Sequence, residues 1–171
     1  YLAIGAQKGR KIGIEGEDLE GVVSGIEFLS RINQDENETI SGKVVVVGGG
    51  NVAIDVARVA VRAGGEKVNM YSLESRAEMP ALEEEIHVAE SEDITINNSW
   101  GPKRIIGEKG KVTGIEFMRC ISVFDEEGSF NPKYDQEDTM IVEADHVLLS
   151  VGQSIDWSNI LEGSDAVLNP N

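Results

Sequence analysis

The run KVVVVGGGNVAIDVARVAVRAGG, residues 43–65, constrains the fold more than any other part of the chain. Residues 43–48 contain four consecutive valines, which is typical of a strand buried on both faces of a parallel sheet. Residues 51–63 carry apolar side chains at helical spacing, and two glycines end the predicted helix. A second strand is predicted at 67–73. This β-α-β order predicts an α/β fold with a Rossmann-like parallel sheet and a right-handed crossover.

The glycines between the predicted strand and helix fit the pattern G-x-G-x-x-A. Gly48 permits the tight turn, Gly50 lets a pyrophosphate approach the main chain, and Ala53 lets the helix pack closely on the strand. Unpaired amides at the helix start would then point at the phosphates, and Asn51 is a candidate N-cap. A dinucleotide site is therefore predicted at Gly48, Gly49, Gly50, Asn51, Val52 and Ala53. A glycine-rich corner without a ligand, and a methyltransferase-type site, remain as alternatives.

Cofactor preference is expected where the second strand ends, at Glu74, Ser75 and Arg76. A carboxylate there accepts hydrogen bonds from the ribose hydroxyls of adenosine and repels a 2′-phosphate, which favours NADH. Arg76 acts in the opposite direction, because a guanidinium could clamp a 2′-phosphate and so favour NADPH. Because of the Glu74 carboxylate, we predict that the chain prefers NADH to NADPH.

The second half of the chain has a pattern of strands and short turns in place of the β-α-β order. Strands are predicted at 94–100, 103–108, 111–124 and 139–152, with hairpin turns at 108–111 and 125–129. This pattern predicts an antiparallel β-meander inserted beside the parallel sheet, to which the apolar stretch 145–153 returns. Helices are also predicted at 21–33 and from Pro80 to 91, and Trp100 and Trp157 could cover the site.

Composition excludes several classes of function. The formal net charge of −16 disfavours nucleic acids and anionic membrane surfaces as partners, and no apolar run is long enough for a membrane span. The single cysteine, Cys120, allows no internal disulfide and no CxxC pair, which indicates a reducing, cytoplasmic setting. His87, His146 and Cys120 do not have the spacing of metal ligands, so no metal site is predicted.

Four stretches carry a family resemblance: YLAIGAQKGRKIGIEGEDLEGV, VVVVGGGNVAIDVAR, SRAEMPALEEEI and LLSVGQSID. They resemble the small (β) subunit of glutamate synthase and its relatives, which are FAD- and NAD(P)H-dependent oxidoreductases with two dinucleotide-binding folds. The resemblance implies a segment leaving the FAD domain at 1–40, an NAD(P)H-binding domain at 41–153 and a returning segment at 154–171. It also implies that Gly152 and Gln153 form a turn near the nicotinamide.

The resemblance further implies hydride transfer from NAD(P)H to FAD, and then electron transfer to an iron–sulfur partner or a large subunit. The FAD domain is expected to lie largely outside this chain, so FAD is not expected to bind here. NADPH-using relatives carry an arginine pair where this chain has Leu73 and Glu74, which again favours NADH. No catalytic acid, base or nucleophile is predicted, because the cofactors supply the redox chemistry. The alternative is a non-catalytic module that senses dinucleotides or binds a partner.

Overall fold

The computed structural model describes residues 5–35 and 37–155. Most of the strand predicted at 1–6, together with the segment from 156 onward, lies outside the described residues. In chain order the elements are β1 (Lys8–Gly9), β2 (Val22–Ser24), α1 (Gly25–Gln34), β3 (Lys43–Val47), α2 (Asn51–Arg62), β4 (Lys67–Tyr71), α3 (Glu83–Ser91), β5 (Thr95–Asn97), β6 (Trp100–Glu108), β7 (Lys111–Phe124), β8 (Phe130–Glu143), β9 (His146–Leu149) and β10 (Gln153–Ser154).

A parallel sheet of five strands forms the centre, in the order β2-β9-β3-β4-β5. The valines of β3 face both ways and are at most 3% exposed, which is the burial that a continuous apolar run predicts. Each such side chain contributes roughly 1.5–3 kcal/mol of burial free energy. β9 pairs with β3 on one side and β2 on the other, so the predicted return of the chain to the parallel sheet is confirmed.

The protein has three layers. Val44, Val46 and Leu148 point from the sheet to the face covered by α1, α2 and α3. The opposite face packs on an antiparallel sheet of order β6-β7-β8, and there Tyr71 stacks on Phe117 with ring centroids 4.3 Å apart. The Rossmann-like sheet and the inserted meander are therefore both confirmed.

Two hairpin turns of the meander also lie where the sequence predicts them. Lys109 and Gly110 have φ values of 53° and 85°, the left-handed conformations that a two-residue turn requires. The second turn joins Phe124 to Phe130, which are register partners across β7 and β8.

Several predicted element boundaries are wrong. The strand predicted at 94–100 as part of the meander is divided, since Thr95–Asn97 pairs with β4 in the parallel sheet and Trp100 belongs to β6. The helix predicted from residue 21 begins at Gly25, because Val22–Ser24 pairs with β9 and the Ser24 hydroxyl caps the helix. The helix predicted from Pro80 begins at Glu83. The strand predicted at 139–152 is two strands, since β8 runs from Phe130 to Glu143 in the meander and β9 lies in the parallel sheet.

A two-stranded antiparallel pair lies apart from both sheets. β1 pairs with β10, so that Lys8 lies opposite Ser154 and Gly9 opposite Gln153. Val22–Ser24 and α1, which fall within the connecting segment predicted at 1–40, contribute to the parallel sheet and to its helical layer. Within the described part of the chain, no helix is long and apolar enough to cross a membrane.

Candidate nucleotide-binding cleft

A cleft of about 620 Å³ opens at the carboxyl edge of the parallel sheet. The ends of β3, β4 and β9 meet there, which is where ligands bind in open α/β sheets. The glycine loop, defined here as Gly48–Gly50, borders the cleft. Glu74 borders one part of the cleft, and the segment from Ser150 to Gln153 borders another.

Gly48 is required by the packing of the loop. Its φ is +146°, and a Cβ at this position would lie 2.5 Å from the carbonyl oxygen of Ser150. Its N–H donates to the Tyr71 carbonyl at 2.9 Å. Ala53 is fully buried, and its Cβ would lie 3.2 Å from one at Gly48. Gly48 and Ala53 therefore allow the strand, the loop and α2 to approach closely.

Gly50 has a different environment. A Cβ there would meet no atom closer than Pro80 Cγ, at 4.0 Å, so the space beside Gly50 is part of the open cleft. Of the main-chain amides from Gly48 to Ala53, those at the two ends are already paired within the chain. The Gly48 N–H is bonded to Tyr71, and the Ala53 N–H donates to the Gly50 carbonyl at 2.9 Å.

Four consecutive main-chain N–H groups between these ends have no acceptor among the described residues. They belong to Gly49, Gly50, Asn51 and Val52. They lie at the start of α2, whose N-cap is Gly50 and whose cap carries no side-chain hydrogen bond. Unpaired amides and the positive end of the helix dipole both favour an anion at this position.

The prediction that Asn51 caps α2 is wrong, because Asn51 is the first residue of the helix and Gly50 is the N-cap. Its Oδ1 accepts a hydrogen bond from the N–H of Leu82 at 2.8 Å. The Ala81 N–H donates to the Gly49 carbonyl at 3.2 Å. These two bonds hold residues 80–82 in a non-helical conformation on the glycine loop, which explains why α3 begins after Pro80.

The carboxylate of Glu74 lies against the glycine loop. A Cβ at Gly49 would be 2.6 Å from Glu74 Oε2. Burial raises the pKa of Glu74, and the neighbouring Glu78 adds to the rise. The Glu74 carbonyl accepts from the Ser72 hydroxyl at 3.1 Å and from the Ser99 N–H at 3.0 Å, which fixes the segment that carries the carboxylate.

Ser75 and Arg76 do not border the cleft. The Ser75 hydroxyl donates to Glu78 at 2.6 Å. Both terminal nitrogens of Arg76 donate to Glu83 at 2.9 Å. Of the three residues predicted to set cofactor preference, the structure brings only Glu74 to the cleft.

Gly152 and Gln153 border the cleft beside β1. Gly152 has φ +107°, which favours glycine. Its carbonyl accepts from the Arg10 N–H at 3.1 Å. The two residues thus reach the cleft through the β1–β10 pair.

Aromatic and proline side chains of the meander also border the cleft, and of these only Trp100 was predicted to lie near the site. The others are Pro102, Phe130, Pro132 and Tyr134. The alternation F-x-P-x-Y at 130–134 is a signal that could have found three of them.

Cys120 is buried and forms no disulfide, and burial raises the pKa of its thiol. The described residues contain no cluster that could hold a metal.

This three-layer fold, with an open glycine loop at the carboxyl edge of its parallel sheet, is typical of the nucleotide-binding domains of oxidoreductases. The chain belongs to the pyridine nucleotide-disulphide oxidoreductase family, whose model matches residues 1–165.

Curated relatives agree with the resemblance to glutamate synthase small subunits. The chain is 37% identical, over 94% of its length, to the NADPH-Fe(3+) oxidoreductase subunit beta of Geobacter sulfurreducens. It is 35% identical, over 92% of its length, to the NADP(+)-dependent formate dehydrogenase subunit beta of Moorella thermoacetica. It is 30% identical, over 88% of its length, to the glutamate synthase [NADPH] small chain of Azospirillum brasilense. The chain spans 25%, 23% and 34% of these relatives, respectively.

Solved structures support the fold. FprA from Mycobacterium tuberculosis in complex with NADPH matches with a TM-score of 0.70 at 20% identity, over 88% of this chain and 49% of that one. Thioredoxin reductase from T. acidophilum matches with a TM-score of 0.62 at 16% identity, over 96% of this chain and 47% of that one.

Proposed function

We propose that this chain is the NAD(P)H-binding domain of a flavin-dependent oxidoreductase and that its glycine loop binds the diphosphate of the nicotinamide cofactor. The observation that carries the proposal is the row of four unpaired amides from Gly49 to Val52 beside the open space at Gly50. A diphosphate placed there accepts hydrogen bonds that the described residues leave unmade. An anion at the start of α2 is also stabilised by the helix dipole.

The residues on either side of the glycine loop determine how the cofactor is oriented in the cleft. Glu74 offers carboxylate oxygens to the hydroxyls of the adenosine ribose, in the position that an acidic residue takes after the second strand of a Rossmann unit. Gly152 and Gln153 then lie toward the nicotinamide, where the main chain can approach the ring closely because Gly152 carries no Cβ. The residues of this chain bind and orient the cofactor, and the hydride chemistry is supplied by the nicotinamide and by FAD when they are bound.

Glu74 supports a preference for NADH. Its carboxylate borders the cleft, whereas Arg76 is held by Glu83 outside it. A 2′-phosphate beside Glu74 would meet like charge. The relatives from Geobacter, Moorella and Azospirillum have names that specify NADPH or NADP(+), so this chain would differ from them in cofactor choice because of Glu74.

The wider protein follows from the same proposal. FAD is bound by a domain to which the segment before β2 and residues 154–171 connect, and β2 and α1 join residues 41–153 in the NAD(P)H-binding domain. The β1–β10 pair supports this division, because it holds the two connecting segments side by side. The relatives named as subunits of formate dehydrogenase and glutamate synthase support a partner subunit, either iron–sulfur or of the glutamate synthase type, as the electron acceptor.

Two measurements test the proposal. Calorimetric titration with NADH and with NADPH should give saturable binding of both, with the tighter constant for NADH. Anaerobic addition of NADH to the complete flavoprotein should then bleach the flavin absorbance in a rapid-mixing experiment. If neither NADH nor NADPH binds, the proposal is overturned. Tight binding with a flavin that stays oxidised would favour the non-catalytic sensing module instead.

A further inference from the structure

One side of the cleft is an apolar surface that the glycine loop does not explain. It is defined here as the aromatic wall, and it consists of Trp100, Pro102, Phe130, Pro132 and Tyr134. Two of these residues lie on β6 and three on β8. The three on β8 are spaced two residues apart, and all three border the cleft.

Contacts place the aromatic wall beside Glu74. The N–H of Ser99 donates to the Glu74 carbonyl at 3.0 Å, and the N–H of Trp100 donates to the Ser72 carbonyl at 2.8 Å. Gly101 lies between the wall and the segment after β4, since a Cβ there would be 2.4 Å from Tyr134 Cε1 and 2.8 Å from Leu73 Cδ2. The wall therefore borders the part of the cleft to which the adenosine ribose is assigned.

The aromatic side chains have fixed neighbours, yet part of their surface is not buried in the core. Phe130 is 65% exposed and meets Phe124 edge-on, with ring centroids 6.3 Å apart. Tyr134 is half-buried against Gly101. Trp100 has the guanidinium of Arg119 over its ring, 3.8 Å from the centroid. An exposed phenylalanine that faces a cleft is more informative than one on open surface, because it keeps apolar area uncovered where a ligand can bury it.

We infer that the aromatic wall is a purine-stacking subsite, which takes the adenine ring of the dinucleotide that the proposed function places in this cleft. The inference rests on that proposed function. With the diphosphate on the glycine loop and the ribose at Glu74, the adenine is the next group along the molecule. A flat apolar ring surface matches its faces, and aromatic stacking binds a base through those faces without reading its edge.

Phe130 and Tyr134 are the residues to test, with Ile141 as the matched control. Ile141 lies on the same strand and is also 65% exposed, but it does not border the cleft. Phe130→Ala and Tyr134→Leu should each weaken ADP binding by about 5- to 30-fold, the effect of losing one aromatic stacking partner. Ile141→Ala should leave ADP affinity unchanged, and Tyr134→Phe should retain it because the ring is kept.

A spectroscopic signal separates stacking from a general structural effect. The fluorescence of etheno-ADP, in which the purine is the fluorophore, should be quenched on binding to the wild-type protein and to Tyr134→Phe. The quenching should be largely lost in Phe130→Ala at saturating etheno-ADP. If both wall variants match Ile141→Ala in affinity and quenching, while Gly50→Asp abolishes ADP binding, the wall is not the subsite and the proposed function stands. If the wild-type protein binds neither ADP nor NADH, both proposals fail.

Discussion

Replacing Gly50 with aspartate should weaken NADH binding while it raises the thermal stability of the domain. Gly50 is the N-cap of α2 with φ −92° and ψ 173°, an extended conformation that Asp adopts readily at this position. A Cβ there is 4.0 Å from its nearest neighbour, Pro80 Cγ, so Gly50→Asp creates no clash with the described residues. The new carboxylate can accept a hydrogen bond from an amide at the helix start and interacts favourably with the helix dipole.

The size of each effect follows from these contacts. A gain of about 0.5–1 kcal/mol from capping and dipole corresponds to a Tm higher by about 1–4 °C in a domain of this size. Binding changes in the opposite direction, because the carboxylate fills the space of the diphosphate and competes for its amides. Hydrogen bonds to charged groups contribute about 1.5–3 kcal/mol each, so losing two weakens NADH binding by about 10²- to 10⁴-fold. Repulsion between the two anions adds to the loss.

Calorimetric titration with NADH and a thermal melt of the same sample measure both quantities. Gly48→Ala is the control, because its φ of +146° and a Cβ 2.5 Å from the Ser150 carbonyl oxygen should lower Tm clearly. Unchanged NADH affinity in Gly50→Asp would refute the assignment of the diphosphate to the glycine loop. A drop in Tm as large as that of Gly48→Ala would refute the claim that Gly50 faces open space.

Three further outcomes are expected. Glu74→Arg should shift the ratio of NADH to NADPH affinity toward NADPH by at least about 10-fold, and a ratio that does not move in paired titrations would remove Glu74 from cofactor selection. Asn51→Ala should lower Tm by about 2–4 °C, since it removes a hydrogen bond of about 1 kcal/mol to the segment before α3; an unchanged melt would contradict this role. Hydrogen bonds from Lys103 and Arg104 lower the pKa of Glu116 in the folded chain, so its stabilising effect is present above the unfolded-state pKa and lost as pH falls through the folded-state value. Glu116→Gln should therefore flatten the acid side of the plot of Tm against pH, and an unaltered acid-side slope would exclude this contribution.

The parallel sheet and the glycine loop were predictable because their signals are local. Four valines in succession can be buried only by cover on both faces, and the three layers provide that cover. The turn at Lys109 and Gly110 was predictable for a similar reason, since a two-residue hairpin needs positive φ and glycine supplies it at low cost.

Features that depend on distant parts of the chain were not predictable in this way. The start of α3 is set by Asn51, which is 31 residues from its partner Leu82, and no local cap signal reports such a bond. The first half of β8 lies at the sheet edge with its polar side chains exposed, so the F-x-P-x-Y spacing is the one strand signal that it carries. The aromatic wall exists because the meander folds back over the parallel sheet, and only the folded structure brings Trp100 and Phe130 to the same cleft.

The residues that precede α3 fix the glycine loop and the start of α2 through hydrogen bonds. Ala81 holds the Gly49 carbonyl, and Leu82 holds the side chain of Asn51, so the peptide planes that carry the free amides are oriented before a nucleotide arrives. We therefore expect nucleotide association to require no slow rearrangement of the loop, so that its rate is set by diffusional encounter. Because the chain carries a net charge of −16, that encounter with an anionic nucleotide should become faster as added salt screens the repulsion.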